Sequence, residues 1–149
     1  MICTVVGGTK KERATVEEAL CFAKEYWLPR HRKLWVDVEI KRNLDVDADV
    51  LDGDDDREFV IRLKRGLDYE DLVTAIFHEM VHVKQWAKGE MQELVRQSKT
   101  RFNGTLFGET EYWDRPWEIE AHGREKGLFV RWAETTGKCN EAWTQENLY

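Results

Sequence analysis

The sequence lacks several features by which whole classes of protein are identified. No stretch approaches the roughly 18 consecutive apolar residues of a membrane span. Only three cysteines occur and no two form a CxxC pair, so neither a disulfide framework nor a cysteine zinc site is expected. The net charge of −6 offers no global basic footprint for nucleic acid. These absences exclude a membrane protein and disfavour a nucleic-acid-binding protein.

The chain also lacks the pattern of a secretory signal. Such a signal places positive charges first and a longer apolar core after them, whereas here a short apolar run precedes the first charges. We therefore expect a cytoplasmic protein. A short basic stretch, residues 30–33, is expected to be a solvated surface rather than a binding patch.

Composition and length indicate one folded domain. The chain has 149 residues, of which 42% are apolar and 35% charged, which suits a single hydrophobic core. Residues 146–149 spell Glu-Asn-Leu-Tyr, the beginning of a protease site used to remove expression tags. We interpret them as a tag remnant and assign residues 1–145 to the domain.

Three segments have the apolar periodicity of helices. The first is predicted at about 15–28, with Thr15 as the N-cap and Pro29 as the stop signal. The second, at about 69–88, begins after Asp68, and the third, at about 115–135, has Pro116 in its first turn with Asp114 ahead of it as the cap.

Alternating apolar residues predict strands at about 34–41 and 58–64, antiparallel to each other, and a third strand is suggested near the N-terminus. Residues 45–56 are interpreted as a solvated acidic turn. Residues 89–115 are interpreted as a short helix followed by a loop or short hairpin. The fold class expected is α+β, with a small antiparallel or mixed sheet packed on a helix.

The chemistry-bearing motif is His78-Glu79-Met80-Val81-His82, an HExxH sequence on the second predicted helix. Residues four apart on a helix point the same way, so both imidazoles can hold one zinc ion. Glu79 is turned about 100° from His78, where it can meet a water molecule on the metal and act as general base. The residues that flank the HExxH motif are apolar. This favours the interpretation, because two histidines and a glutamate are costly to bury without partners.

A hydrolytic zinc site needs a third protein ligand and an open position for water. Glu118 and His122 share one face of the third predicted helix. Either can close the site, with the other as a supporting partner one turn away. Tyr112 is a candidate to stabilise the oxyanion of the intermediate, although aromatic packing also accounts for it.

These motifs resemble those of the gluzincin group of zinc metallopeptidases, in which a later helix supplies a glutamate in patterns such as E-x-x-A-D. Residues 118–122 match with His122 at the last position, and Tyr112-Trp113-Asp114-Arg115-Pro116-Trp117-Glu118 has the form seen in compact members. The chain is most similar to ImmA/IrrE-type and small phage-encoded zincin-like peptidases. The resemblance implies Glu118 as the third ligand; His122 would match an SprT-like arrangement.

The expected function is therefore hydrolysis of a peptide bond in a peptide or protein substrate, with Zn²⁺ as cofactor and no nucleic-acid or membrane partner. The resemblance also implies that an edge strand above the active-site helix pairs with the substrate, a role expected for residues 57–65. The alternative is a zinc-binding interaction or regulatory module that keeps the zincin-like fold without proteolytic activity.

Overall fold

A computed structural model describes residues 2–53 and 55–145, so the interpreted tag remnant at 146–149 lies outside the described residues. Helices and strands together make the chain α+β, as expected. The elements in these ranges are β1 (Ile2–Gly7), α1 (Lys10–Trp27), β2 (Trp35–Lys41), β3 (Ala48–Asp52), β4 (Glu58–Lys64), α2 (Tyr69–Ala87), β5 (Met91–Leu94), β6 (Lys99–Phe102), β7 (Thr105–Phe107), α3 (Pro116–Thr135) and α4 (Ala142–Gln145).

The main sheet is mixed, with the strand order β1-β2-β4-β3. The strands β1, β2 and β4 are parallel, and β3 pairs antiparallel with β4. The prediction that β2 and β4 are antiparallel is therefore wrong. The acidic segment at residues 45–56, which was interpreted as a turn, contains β3. This strand forms the outer edge of the sheet, and the chain then reverses into β4, which lies beside β2.

The position of β4 also corrects the expected substrate-binding strand. Residues 57–65 were predicted to form an edge, but β4 is hydrogen-bonded on both sides, to β2 and to β3. The edge on this side of the sheet is β3. Any segment that extends the sheet here must pair with β3 instead.

Alternate residues of β2 and β4 form the sheet's contribution to the core. Val36 and Val38 of β2, with Ile61 and Leu63 of β4, have no measurable exposure. They pack in one apolar cluster with buried side chains of α1, α2 and α3. No helix within the described residues combines the length and the apolar character needed to cross a membrane.

The first helix begins earlier than predicted. Thr9, not Thr15, is the N-cap: its hydroxyl accepts a hydrogen bond from the Glu12 backbone N–H at 3.1 Å. The Glu12 carboxylate accepts the Thr9 backbone N–H at 2.8 Å, which completes a capping box. Both Thr9 and Thr15 have a glutamate three residues on, so the cap motif alone does not distinguish them.

The second and third helices form where they were predicted. Asp68 caps α2 by accepting the backbone N–H of Asp71 at 2.9 Å. Pro116 occupies the first turn of α3, but Arg115 is the N-cap and Asp114 makes no capping hydrogen bond. The proline's fixed φ is sufficient to begin this helix without a side-chain cap.

The segment between α2 and α3 is more regular than predicted. It forms a second, antiparallel sheet in the order β5-β6-β7, followed by a 3-10 turn at Tyr112–Asp114. The suggested hairpin is present between β6 and β7. The suggested short helix is limited to a single 3-10 turn at Val95–Gln97, because residues 91–94 pair with β6. This sheet and turn deliver the chain to the first residue of α3.

We expect Thr9→Ala to lower the free energy of unfolding by about 1 kcal/mol, because it removes the acceptor for an otherwise unpaired helix N–H. Thr15→Ala is the matched control. Thr15 lies inside α1, where alanine favours the helix, so its replacement should leave stability unchanged or raised. Urea denaturation of both variants measures the difference, and equal losses would contradict the observed cap.

Candidate metal centre

Two helices bring three potential metal ligands together. His78 and His82 lie one turn apart on α2, and Glu118 lies in the first turn of α3. The Nε2 atom of His82 is 2.7 Å from Glu118 Oε1, and that of His78 is 3.5 Å from Glu118 Oε2. One ligand atom from each residue falls within 4.8 Å of the others, a separation that a single ion can bridge.

The burial and charge of Glu118 fit a bound cation. Its side chain is 11% exposed, and its Oε2 atom has no hydrogen-bond partner among the described residues. Burial opposes the charged form, but the contacts with His78 and His82 outweigh it and hold the pKa of this carboxyl well below its usual range. Two imidazoles and one ionised carboxylate form a ligand set typical of catalytic zinc.

Glu125 orients the first histidine. The Nδ1 atom of His78 is 2.7 Å from Glu125 Oε2. A proton on Nδ1 shared with this carboxylate leaves Nε2 to face Glu118 and a metal. Burial lowers the pKa of His78, but the contacts with Glu118 and Glu125 outweigh it and raise that pKa to about 10. Sequence reasoning missed Glu125, although it lies seven residues, two helical turns, after Glu118.

Gln85 orients the second histidine. His82 Nδ1 lies 2.8 Å from Gln85 Oε1, and the Gln85 amide donates to the Trp117 carbonyl at 3.0 Å and to Glu120 at 2.9 Å. Gln85 is fully buried, and the two contacts that its amide group makes with Trp117 and Glu120 link the HExxH helix to the start of α3. Sequence reasoning also missed this residue. The available signal was an amide in an apolar stretch, three residues after a candidate ligand.

A buried lysine strengthens the same junction. Lys84 Nζ lies 2.9 Å from Glu120 on α3 and 2.8 Å from Glu90, and its side chain is only 7% exposed. Glu120 also accepts a hydrogen bond from Arg124 at 2.9 Å. Lys84 and Gln85 of α2 are thus joined to Glu120 of α3. We call these three residues the polar clasp.

Glu79 lies beside the three candidate ligands. Its side chain is buried, and this burial raises the pKa of the carboxyl to about 7 although His82 and His78 act to lower it. A carboxyl whose pKa lies near neutrality can both accept and return a proton. A general base needs this property, and the role of Glu79 stays a prediction.

A cavity of about 610 Å³ opens over these residues and is bordered on its far side by β3. Tyr112 and His122 also line it, and the Tyr112 hydroxyl lies 2.9 Å from His122 Nε2. His122 is grouped with His78 and Glu125 as a second set of nearby ligand atoms, but not with His82. The structure therefore brings all six predicted site residues to one cavity and places Glu118 against both histidines of the motif.

Comparison with known proteins identifies no relative: no family model, no curated protein and no solved structure matches the chain. What the chain can do therefore follows from the geometry and chemistry of this cavity.

We expect Lys84→Met to lower the free energy of unfolding by roughly 2 kcal/mol, because it leaves the partly buried carboxylates of Glu90 and Glu120 without their buried cation. Lys88→Met is the control, since Lys88 is exposed at the C-terminal end of the same helix. Thermal and urea denaturation of the metal-free proteins measure both effects. A Lys84→Met protein as stable as the Lys88→Met protein would show that the polar clasp does not stabilise the helix pair.

Proposed function

We propose that this chain is a zinc-dependent peptidase of the compact gluzincin type, with His78, His82 and Glu118 as the metal ligands. The observation that carries the proposal is the approach of both motif histidines to Glu118 beside the buried carboxyl of Glu79. The cavity above them leaves space for a substrate. No other cluster of three potential ligands among residues 2–53 and 55–145 includes both histidines.

Glu79 is proposed as the proton-transfer group. A bound zinc ion supplies a Lewis acid that polarises a carbonyl oxygen and makes a water molecule more acidic. Glu79 accepts a proton from the attacking water and returns it to the amine that leaves. Its pKa of about 7 suits both steps at neutral pH.

Tyr112 and His122 are proposed to stabilise the negative charge that develops on the carbonyl oxygen. Burial and the nearby Glu118 raise the pKa of Tyr112 above its ordinary value, so its hydroxyl remains protonated and can donate. The contact with His122 holds that hydroxyl at the cavity wall. Donors fixed before the reaction contribute most to this kind of stabilisation.

The edge strand β3 is proposed to align the substrate. Ala48, Asp49 and Val50 line the cavity, and only one side of β3 is paired, with β4. An extended peptide can add to the free side through backbone hydrogen bonds, which bind without regard to side-chain identity. This favours a peptide or an unfolded protein segment as substrate.

The proposed location is the cytoplasm. Cys3 and Cys21 are thiols and form no disulfide, which is the usual state in a reducing compartment.

The ligand assignment predicts a difference between two variants on the same helix face. The wild-type protein should bind about one zinc per chain, Glu118→Ala should lose most of that zinc, and His122→Ala should keep it. Elemental analysis after dialysis against buffer of low zinc content measures all three. Full zinc retention by Glu118→Ala, or loss by His122→Ala, would instead assign the third ligand to His122.

Glu79→Gln should retain zinc but reduce kcat for peptide hydrolysis by about 10²-fold or more, since the amide cannot accept the proton. Cleavage of a peptide library followed by mass spectrometry measures the activity. Glu109→Gln is the matched control and should stay active, since Glu109 is exposed and does not line the cavity. A zinc-loaded wild-type protein that cleaves no peptide would favour the alternative of a binding module without proteolytic activity.

A further inference from the structure

A second cavity, of about 480 Å³, lies at the C-terminal end of α2. It is lined by the basic stretch between α1 and β2 and by the turn between β3 and β4. Four cationic residues face one acidic residue, Asp56, in a chain whose net charge is −6; the four are Arg30, Arg32, Lys33 and Arg57. The fold thus adds Arg57 to a basic stretch that sequence reasoning interpreted as solvated surface, and it encloses a cavity between them.

The walls of this basic cavity are partly apolar, which favours a bound ligand over bulk water. Leu34, Trp86 and Ala87 supply apolar surface beside the cationic residues.

Trp86 connects the basic cavity to the candidate metal centre, because it lines both cavities. Its ring centroid lies 6.4 Å from that of His82. On the sheet side its ring stacks on Phe59, with centroids 5.8 Å apart and planes 5° apart. The metal cavity and the basic cavity are therefore neighbours, with Trp86 at their boundary.

The edge strand β3 runs from the metal cavity towards Trp86. The strand β3 enters beside the metal cavity at Ala48 and ends at Asp52, which is paired with Phe59, the residue stacked on Trp86. A peptide that extends the sheet at β3 therefore leads towards Trp86. The two cavities differ in charge along this path, since Asp47, Asp49, Asp71 and Glu93 line the metal cavity.

We propose that the basic cavity is a specificity subsite that binds acidic side chains of the peptide substrate, at least two residues from the bond that is cleaved. The 6.4 Å between the ring centroids of His82 and Trp86 corresponds to about two residues at the rise of roughly 3.3 Å per residue in an extended chain, and the basic cavity lies beyond Trp86. This inference rests on the proposed peptidase function, but it concerns which peptides bind. Carboxylates suit the site because arginine and lysine side chains surround it on an otherwise acidic protein.

The test measures binding separately from cleavage. Labelled ten-residue peptides carry a pair of glutamates near the N-terminal or the C-terminal end, and reference peptides carry glutamine at the same positions. Fluorescence anisotropy with zinc-loaded Glu79→Gln protein gives Kd, and wild-type protein gives kcat/KM. The Arg30→Gln/Arg57→Gln variant removes two charges from the basic cavity. The Arg42→Gln/Arg96→Gln variant removes two exposed charges that line neither cavity.

One of the two glutamate peptides should bind at least tenfold more tightly than its glutamine reference. That preference should fall below threefold in Arg30→Gln/Arg57→Gln and persist in Arg42→Gln/Arg96→Gln. Equal binding of glutamate and glutamine peptides, or a preference that survives the loss of Arg30 and Arg57, would overturn the subsite. Inorganic phosphate that binds at these arginines without displacing the acidic peptide would overturn it in favour of an independent anion site.

Failure of the proposed peptidase function gives a different pattern. The arginine-dependent preference for acidic peptides would then remain, while wild-type protein cleaves neither glutamate nor glutamine peptides. Cleavage of both peptides at equal kcat/KM gives the opposite pattern, in which the peptidase stands and the subsite is lost.

Discussion

Glu118 must approach two imidazoles that belong to another helix, and this requirement governs how the rest of the chain is arranged. His78 and His82 are fixed by the rise of α2, so the first turn of α3 has to cross at their height. The second sheet and the 3-10 turn before α3 determine where that first turn begins. On the opposite side, α2 is supported by the apolar face of the main sheet. Each layer therefore contributes to one short contact between helices.

The contact between α2 and α3 contains four polar or charged side chains that pair across it. Lys84, Gln85, Glu118 and Glu120 have little exposure, and each is held by a partner on the other helix. Apolar packing alone tolerates sliding of one helix along another, whereas directional hydrogen bonds do not. Buried polar groups of this kind often contribute little net stability compared with apolar residues. Their contribution here is to fix the register at which the carboxylate meets the imidazoles.

The sequence was informative where a pattern is local and less so where it depends on neighbours in space. The helices α2 and α3 were predictable because apolar periodicity, Asp68 and Pro116 all act within a few residues. The direction of β4 was not, since it depends on β3, whose aspartates have low strand propensity and resemble a turn. The chain tolerates them there because β3 is an edge strand with one solvated side. Propensity rules describe an average strand, and β3 is not one.

The candidate site divides in the same way. His78, Glu79 and His82 come from one helical motif, which brings both imidazoles to the same side of α2. Residue spacing alone left Glu118 and His122 open, because both lie on one face of α3; only the crossing of the helices separates them. Gln85 and Glu125 carry no motif and are recognised only by the ring nitrogens that they contact. Sequence patterns therefore reveal the residues that can bind a metal more readily than they reveal the residues that orient those ligands.

The unpaired side of β3 has a consequence for the protein's behaviour in concentrated solution. A free sheet edge is a template on which a second copy can add its own edge, and long apolar edges of this kind lead to aggregation. Here the edge is short, and aspartates occupy positions 49 and 52 of the strand as well as the segment that leads into it. Two identical edges brought together would oppose like charges, whereas a peptide without acidic residues directly beside these aspartates would not. The same acidic residues therefore keep copies of the chain apart while leaving the strand open to other chains.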